Sequence, residues 1–497
     1  MALPNAIYTS AQVRALDHHA IGTLGIPGYT LMKRAGEASL RVLRSRWPTA
    51  YRIVVVCGGG NNGGDGYVLA RFAQAAGLTV SALAAVPPDR LQGDARQAYD
   101  DFRASSGRVL PFDSAALGTG EVIVDALLGT GLTSSVREDA AGVIAAINAA
   151  GRPVFALDVP SGLSSDLGAP LGAAVRADCT ITFVGLKTGL FVGDGPEYTG
   201  TLFFDDLEVA APDQPGFEPR LVRLAECEIA QALPPRRRAA HKGSFGHVLV
   251  VGGGTGMPGA ARLAGEAALR VGAGLVTVAA APENLAAIAG GCPEIICMPL
   301  AEASALEEPL ARADVVAVGP GLGRSTWAAM ALERVLASQK PMVVDADALN
   351  LIAAAANGER LREPGRWILT PHPGEAARLL GCGTGEVQRD RLAALDALVE
   401  RYGGVVVLKG AGTLIGMRGE IPAICERGNP GMASPGMGDV LTGAIAGVLA
   451  QCGRLQAAAR AGVLVHALAG DTAALAGQRG LMASDVLREL RTWVNRR

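Results

Sequence analysis

The feature that most restricts this 497-residue chain is a recurring unit. A short, continuously apolar run stops at a loop of glycine and polar residues, and a helical pattern follows. Residues 53–56 read Ile-Val-Val-Val and end in Cys57, three glycines and Asn61-Asn62-Gly63-Gly64-Asp65-Gly66. Similar runs occupy 80–84, 122–126, 154–157 and 181–184, then 248–251, 275–279, 315–318, 342–344, 367–369 and 405–408. A run with no polar face predicts a strand covered on both sides, hence a parallel sheet between helices. The alternation predicts the α/β class, built from βαβ units. Residues 8–47 read as helical, with Thr9 or Ser10 as the cap, and a further helix is expected from Tyr67 to about Ala76. Residues 211–219 are rich in Pro and polar side chains and read as a linker, so two domains are expected, 1–210 and 220–497.

Composition narrows the class. Apolar residues make up 49%, enough for large cores, and 66 glycines suit an Ala/Gly-rich α/β enzyme. A net charge of -2 with 4% aromatics offers neither a basic surface nor a stacking platform, so no nucleic-acid partner is expected. The eight cysteines form no Cys-x-x-Cys pair and are read as mostly buried thiols in a reducing cytoplasm. No secretory leader and no membrane span are expected. Arg236-Arg237-Arg238 is read as solvated charge.

In open α/β sheets ligands sit beyond the carboxyl ends of the strands, and the polar residues fall there. In the first half these are residues 61–65, 125–135 and Asp158-Val159-Pro160-Ser161-Gly162. In the second they are 319–323, Asp345-Ala346-Asp347, Thr370-Pro371-His372-Pro373-Gly374-Glu375 and residues 409–413. Asn61, Asn62 and Asp65 supply oxygen acceptors, and the glycines between them bare amides that suit a pyrophosphate. An Asn/Gly-rich turn is the plainer reading. Asp345 and Asp347 read equally as phosphate- or magnesium-side residues and as a strand-end turn with a helix cap.

Gly436-Met437-Gly438-Asp439 runs into Val440, Leu441, Ala444, Ile445, Val448 and Leu449, which recur at helical spacing and predict a helix burying one face. Glycines at its start admit positive φ, and free helix N-terminal amides bind anions. Asp439 stands at that mouth, placed to take a proton. No Walker-type Gly-Lys-Ser/Thr loop occurs in the chain.

In combination the motifs are more specific. The Asn61–Gly66 stretch, Val124-Asp125-Ala126-Leu127-Leu128-Gly129-Thr130-Gly131-Leu132 and Asp158-Val159-Pro160-Ser161-Gly162 resemble, in that order, the YjeF N-terminal family of NAD(P)HX epimerases across residues 8–207. The motifs of the second half, opened by His241-Lys242-Gly243-Ser244-Phe245-Gly246, resemble the YjeF C-terminal family, ribokinase-like NAD(P)HX dehydratases, across 221–490.

The resemblance implies an N-terminal Rossmann-like parallel-sheet sandwich and a C-terminal ribokinase-like α/β domain. It implies epimerisation of R and S NADHX and NADPHX at ring carbon 6, and dehydration of the S form with ADP and Mg²⁺. Substrate contacts would fall on Asn61, Asn62, Gly63, Gly64, Asp65, Gly129, Thr130, Gly131, Leu132, Thr133, Ser134, Ser135 and Asp158. K⁺ would sit on Asn62, Asp125 and Ser161. In the second half the hydrate would lie near Ala260, Gly323, His372 and Asp439, and the nucleotide on Lys409, Gly410, Ala411, Gly412, Thr413 and Gly438. Asp158 and Asp439 would move the protons. Lys187 reads as a solvated lysine before a substrate contact. A cytoplasmic homo-oligomer is expected. The rival readings are a small-molecule kinase with an accessory domain, and a non-catalytic N-terminal binding module.

Overall fold

The computed structural model describes residues 3–212, 214–355 and 365–496. The chain falls into two compact units, Met1–Leu221 and Val222–Arg497. Asp213, in the stretch read as a linker, lies outside the described residues. Residues 214–219 lean on the first unit: Phe217 meets His19 edge-on at 5.4 Å, and Gln12 Nε2 donates to the Glu218 carbonyl at 2.8 Å.

In the first unit the apolar runs become one wholly parallel sheet. Its strands lie in the order Arg108–Pro111, Thr79–Ala84, Arg52–Cys57, Val122–Ala126, Val154–Leu157, Cys179–Phe183 and Thr201–Asp205. The central strands are buried on both faces, as their lack of alternation requires. The edge strands Arg108–Pro111 and Thr201–Asp205 have no counterpart among the expected runs; half-exposed, they carry little apolar signal. Chain order reverses between Arg52–Cys57 and Val122–Ala126, which opens a crevice at their carboxyl ends.

The helix leaving Arg52–Cys57 begins at Asn61, not at Tyr67, and runs Asn61–Ala75. The motif read as a loop is therefore its first turn. Gly63, Gly64 and Gly66 do not adopt positive φ. They permit close approach instead: a Cβ on Gly63 would lie 2.1 Å from the Gly58 carbonyl oxygen, and one on Gly66 2.6 Å from Ala126 Cβ. Glycine disfavours helix by about 1 kcal/mol per residue, and packing against the sheet outweighs that here. Near the N-terminus Thr9 caps the helix Ser10–Gly22, accepting from the Gln12 amide.

The second unit repeats the logic. Its sheet runs Ile296–Pro299, Leu275–Ala280, His247–Val251, Val315–Val318, Met342–Val344, Trp367–Leu369 and Val405–Leu408, all parallel. It continues with the antiparallel strands Thr413–Met417 and Ala423–Cys425. The helix Met437–Cys452 departs from the one-faced expectation. The predicted stripe is buried, but so are Thr442, Gly443, Ala446 and Gly447. It is a central helix covered all round. The backbone of the helix Pro258–Arg270 comes so close that a Cβ on Gly443 would lie 2.0 Å from the Ala264 carbonyl oxygen. Burying Leu441, Ile445, Val448 and Leu449 contributes roughly 1.5–3 kcal/mol each.

Arg236, Arg237 and Arg238 are exposed, as solvated charge requires, and Arg236 also covers Phe245 at 3.7 Å and donates to Gly272 O and Gln451 Oε1. Among the described residues no helix is long and apolar enough to cross a membrane.

Candidate active sites

A cleft of 780 Å³ opens at the crevice of the first unit. Asn61, Asn62, Asp65, Gly129, Thr130, Gly131, Leu132 and Asp158 line it together, as does Lys187. Gly63 and Gly64 are buried beneath the helix turn, and Thr133, Ser134 and Ser135 are exposed on the same loop without lining the cleft.

Asp158 sits just past the strand Val154–Leu157 in a left-handed conformation, φ 66°. The Val159 amide donates to Leu157 O at 2.9 Å, so Asp158 is the centre of a tight γ-turn. Such strain persists only where the surroundings enforce it, and it clusters at functional sites. The enforcing partner is Lys187, which is 1% exposed and not solvated. Its ammonium pairs with Asp158 Oδ1 and donates to Thr182 Oγ1 at 2.9 Å and to Phe183 O at 2.8 Å. All three donors are used, so Lys187 holds Asp158 in place. The plain reading of Lys187 failed because it ignored the flanking apolar run, Phe183 to Val192, nearly all of which is buried.

Two more carboxyls face this pair. Burial pushes Asp17 up to about 6, against the pull of Lys187. Burial, then the charges of Asp158 and Asp17, hold Asp65 well above its ordinary range. Asp17 escaped the sequence reading, although a signal existed. Val13, Leu16 and Ala20 are the buried face of the helix Ser10–Gly22, and Asp17 stands four residues after Val13 on that same face.

Asn62 and Ser161 converge on the backbone of Leu128, and Asp125 holds Ser161 and the Leu127 amide. Ser161 Oγ donates to Asp125 Oδ1 at 2.6 Å and receives the Leu128 amide at 2.8 Å, while Asn62 Nδ2 donates to Leu128 O at 2.9 Å. Asn62 Oδ1 is buried and has no partner. An orphaned buried oxygen, linked through Leu128 and Ser161 to a buried carboxyl, is the donor chemistry an alkali cation would satisfy. Among the described residues no group of three or more His, Cys, Asp or Glu side chains has a metal-binding arrangement.

In the second unit a cleft of 420 Å³ lies over the ends of Met342–Val344, Trp367–Leu369 and Val405–Leu408. His372, Lys409, Gly410, Gly438 and Asp439 line it, with Asp345 and Glu375. Ala411, Gly412 and Thr413 continue the Gly410 turn outside the cleft wall. Ala260 and Gly323 lie apart from it, at the chain-order reversal: Ala260 faces Gly321, and Gly323 N donates to Asp347 Oδ2 at 2.9 Å.

Asp345 is 1% exposed. It starts the helix Ala346–Ala354 but makes no side-chain cap. Its carboxylate takes Lys409 Nζ at 2.7 Å and Thr442 Oγ1 at 2.8 Å instead. Burial disfavours the Lys409 charge, but Asp345, Glu375 and Asp439 outweigh it and hold the ammonium above its usual range. His372 caps the helix Pro373–Leu380, its Nδ1 accepting from the Gly374 amide at 3.0 Å, while Glu375 Oε2 receives the His372 amide at 2.8 Å. Burial, then Lys409 and Arg378, push His372 down, so the imidazole is neutral at pH 7. Gly436, at φ 88°, turns the chain into Met437–Cys452 and leaves the first-turn amides open beside Gly438. Burial, then Asp345, raise Asp439 to about 7, opposed by Lys409. A carboxyl raised to about 7 thus stands at the open amides of a helix terminus, beside the Lys409 ammonium.

Comparison with known proteins finds a family for each half of the chain. The family described as YjeF-related protein N-terminus matches residues 28–189, and the NAD(P)H-hydrate dehydratase family matches 248–492. The bifunctional NAD(P)H-hydrate repair enzyme Nnr of Coxiella burnetii is 49% identical over 493 residues, covering 98% of this chain and 99% of that one. The chain belongs to the bifunctional NAD(P)H-hydrate repair enzymes. The Escherichia coli enzyme of this family is 43% identical over 496 residues, covering 100% of this chain and 95% of that one. A ribokinase-like superfamily protein from Enterococcus faecalis is 31% identical, with a TM-score of 0.51, and covers 55% of this chain and 94% of that one. The family's two-part α/β architecture, with a ribokinase-like second half, is the fold class the motifs implied.

Proposed function

We propose that residues 1–210 carry the epimerase and residues 220–497 the dehydratase of this repair enzyme, joined through 211–219. The first half interconverts R and S NADHX or NADPHX at ring carbon 6. The second returns the S form to NADH or NADPH with ADP, giving AMP and phosphate. The observation that carries the reading is Asp439 at the open amides of the helix Met437–Cys452, within the charge field of Lys409.

The hydroxyl on carbon 6 is a poor leaving group. Asp439 takes its proton as its oxygen attacks the terminal phosphorus of ADP, and AMP departs. Amides of residues 437–439 stabilise the charge on the moving phosphoryl group. The carbon–oxygen bond then breaks, phosphate leaves, and a ring proton is lost to restore the double bond. Lys409, Gly410, Ala411, Gly412, Thr413 and Gly438 hold the nucleotide, and His372, Ala260 and Gly323 the hydrate. Mg²⁺, carried in on the phosphates of ADP, would neutralise their charge beside Asp439.

In the first half Asp158 moves the proton at the ring, kept in register by Lys187. Asn61, Asn62, Gly63, Gly64, Asp65 and residues 129–135 hold the substrate, the open amides of the Asn61–Ala75 helix facing its phosphates. K⁺ on Asn62, Asp125 and Ser161 would order the Leu128 turn. Replacing K⁺ by Li⁺ is expected to slow epimerisation several-fold in the wild type but not in Asn62→Leu. Equal rates of the wild type in both salts would dismiss the cation. The eight free thiols fit a cytoplasmic location, and a homo-oligomer belongs to the same reading.

The test of the whole uses the purified chain, mixed R and S NADHX and Mg²⁺, and follows recovery of the dihydronicotinamide absorbance. Full recovery with ADP and none without nucleotide is expected. A stable phosphorylated product would point to a kinase, and recovery of the S fraction alone would remove the epimerase.

A further inference from the structure

Arg391 opens the helix Arg391–Tyr402 and is 4% exposed. No carboxylate pairs with it among the described residues. Its Nη2 lies 3.3 Å from Leu408 O, 3.2 Å from Lys409 O and 3.3 Å from Gly412 O, and Nη1 donates to Gln388 Oε1 at 2.8 Å. Its Nε is buried without a partner. A buried cation with no counter-charge is costly, and so needs a reason beyond stability.

The reason lies in the turn above it. Three carbonyls of residues 408–412 point inward onto one guanidinium, which turns the amides of Gly410, Ala411 and Gly412 outward. Those amides donate to no acceptor among the described residues. Gly410 and Ala411 are exposed. The approach is possible only because residue 410 is glycine: φ is 139°, and a Cβ there would lie 2.9 Å from Arg391 Nη1. Successive outward amides form an anion cradle, and a desolvated positive charge beneath it strengthens the attraction.

We propose that Arg391 is a positioning residue for the nucleotide. It shapes the 409–413 turn from below and lends its charge to the phosphates of the nucleoside diphosphate without touching them. This rests on the reading that the turn binds ADP. Burial lowers the Arg391 guanidinium only to about 10, so it stays charged at working pH. Binding and the chemical step separate here, because the hydrogen bonds of Arg391 go to Gln388 and the 408–412 turn and none goes to Asp439.

The test measures steady-state dehydratase kinetics of the full chain, with circular dichroism and a thermal melt as the check on folding. Arg391→Met is expected to raise KM for ADP about 10- to 100-fold. Its kcat at saturating ADP and its KM for the S hydrate should stay within about threefold. Methylguanidinium at millimolar concentration should partly restore ADP affinity to Arg391→Ala. If Arg391→Met fails to fold, Gln388→Ala loosens the same guanidinium and should raise KM for ADP a few-fold. An unchanged KM for ADP, or equal loss of kcat and hydrate affinity, overturns the proposal. Ala411→Asp separates the two readings. If it leaves KM for ADP unchanged, the turn does not bind nucleotide. If it raises KM while Arg391→Met does not, the inference about Arg391 alone falls.

Discussion

Asp439→Asn is expected to lower kcat for dehydration by about 10²- to 10⁴-fold while the R and S hydrates still interconvert. The amide keeps the shape of the side chain and loses the ability to accept the proton. The anion-holding amides of Met437–Cys452 remain, so ADP affinity should change little. A pH profile gives the second half of the test. Burial and the neighbouring Asp345 raise Asp439 to about 7, and the base acts only when ionised. Dehydratase kcat/KM should therefore rise as pH climbs through about 7 and level off above it. In Asp439→Asn the residual rate should lose that limb. Turnover within tenfold of the wild type would take Asp439 out of the mechanism.

The other large effect is expected at the Asp158–Lys187 pair. Lys187→Met should abolish measurable epimerase activity and destabilise the first unit by about 3–5 kcal/mol, because it strands a carboxylate in a site already holding Asp17 and Asp65. Asp158→Asn should also stop epimerisation, since the proton acceptor is gone. The double variant Asp158→Asn/Lys187→Met removes both charges and should recover most of the lost stability without recovering activity. Thermal melts and R-hydrate conversion measure the two quantities separately. A Lys187→Met protein that melts no earlier than the wild type would mean that the pair does not hold the γ-turn; a double variant that epimerises would acquit Asp158.

Much of this molecule was legible beforehand. Runs such as 122–126 and 315–318 became strands with the expected bounds, because a strand covered on both faces has no room for polar residues. Gly436-Met437-Gly438-Asp439 began a helix, because glycine and an acidic first turn are local signals. The errors share one cause. Asn61–Gly66 looked like a loop, Met437–Cys452 like a one-faced helix and Lys187 like a solvated charge. In each case the deciding partner is distant in sequence: Ala126 for Gly66, Ala264 for Gly443 and Asp158 for Lys187.

By itself the amino-acid order determined the βαβ alternation, the placement of polar residues at strand ends and the chemistry available there. Those follow from residue type and period, which act over a few neighbours. Only the tertiary structure decided which polar groups meet. It spent Lys187 on Asp158 and Lys409 on Asp345, set Arg391 under a turn of carbonyls and left Asn62 Oδ1 without a partner. The physical reason is that the charge state and reach of a buried group depend on its desolvation and on its nearest charges, and both are set by segments that meet only when the sheet closes.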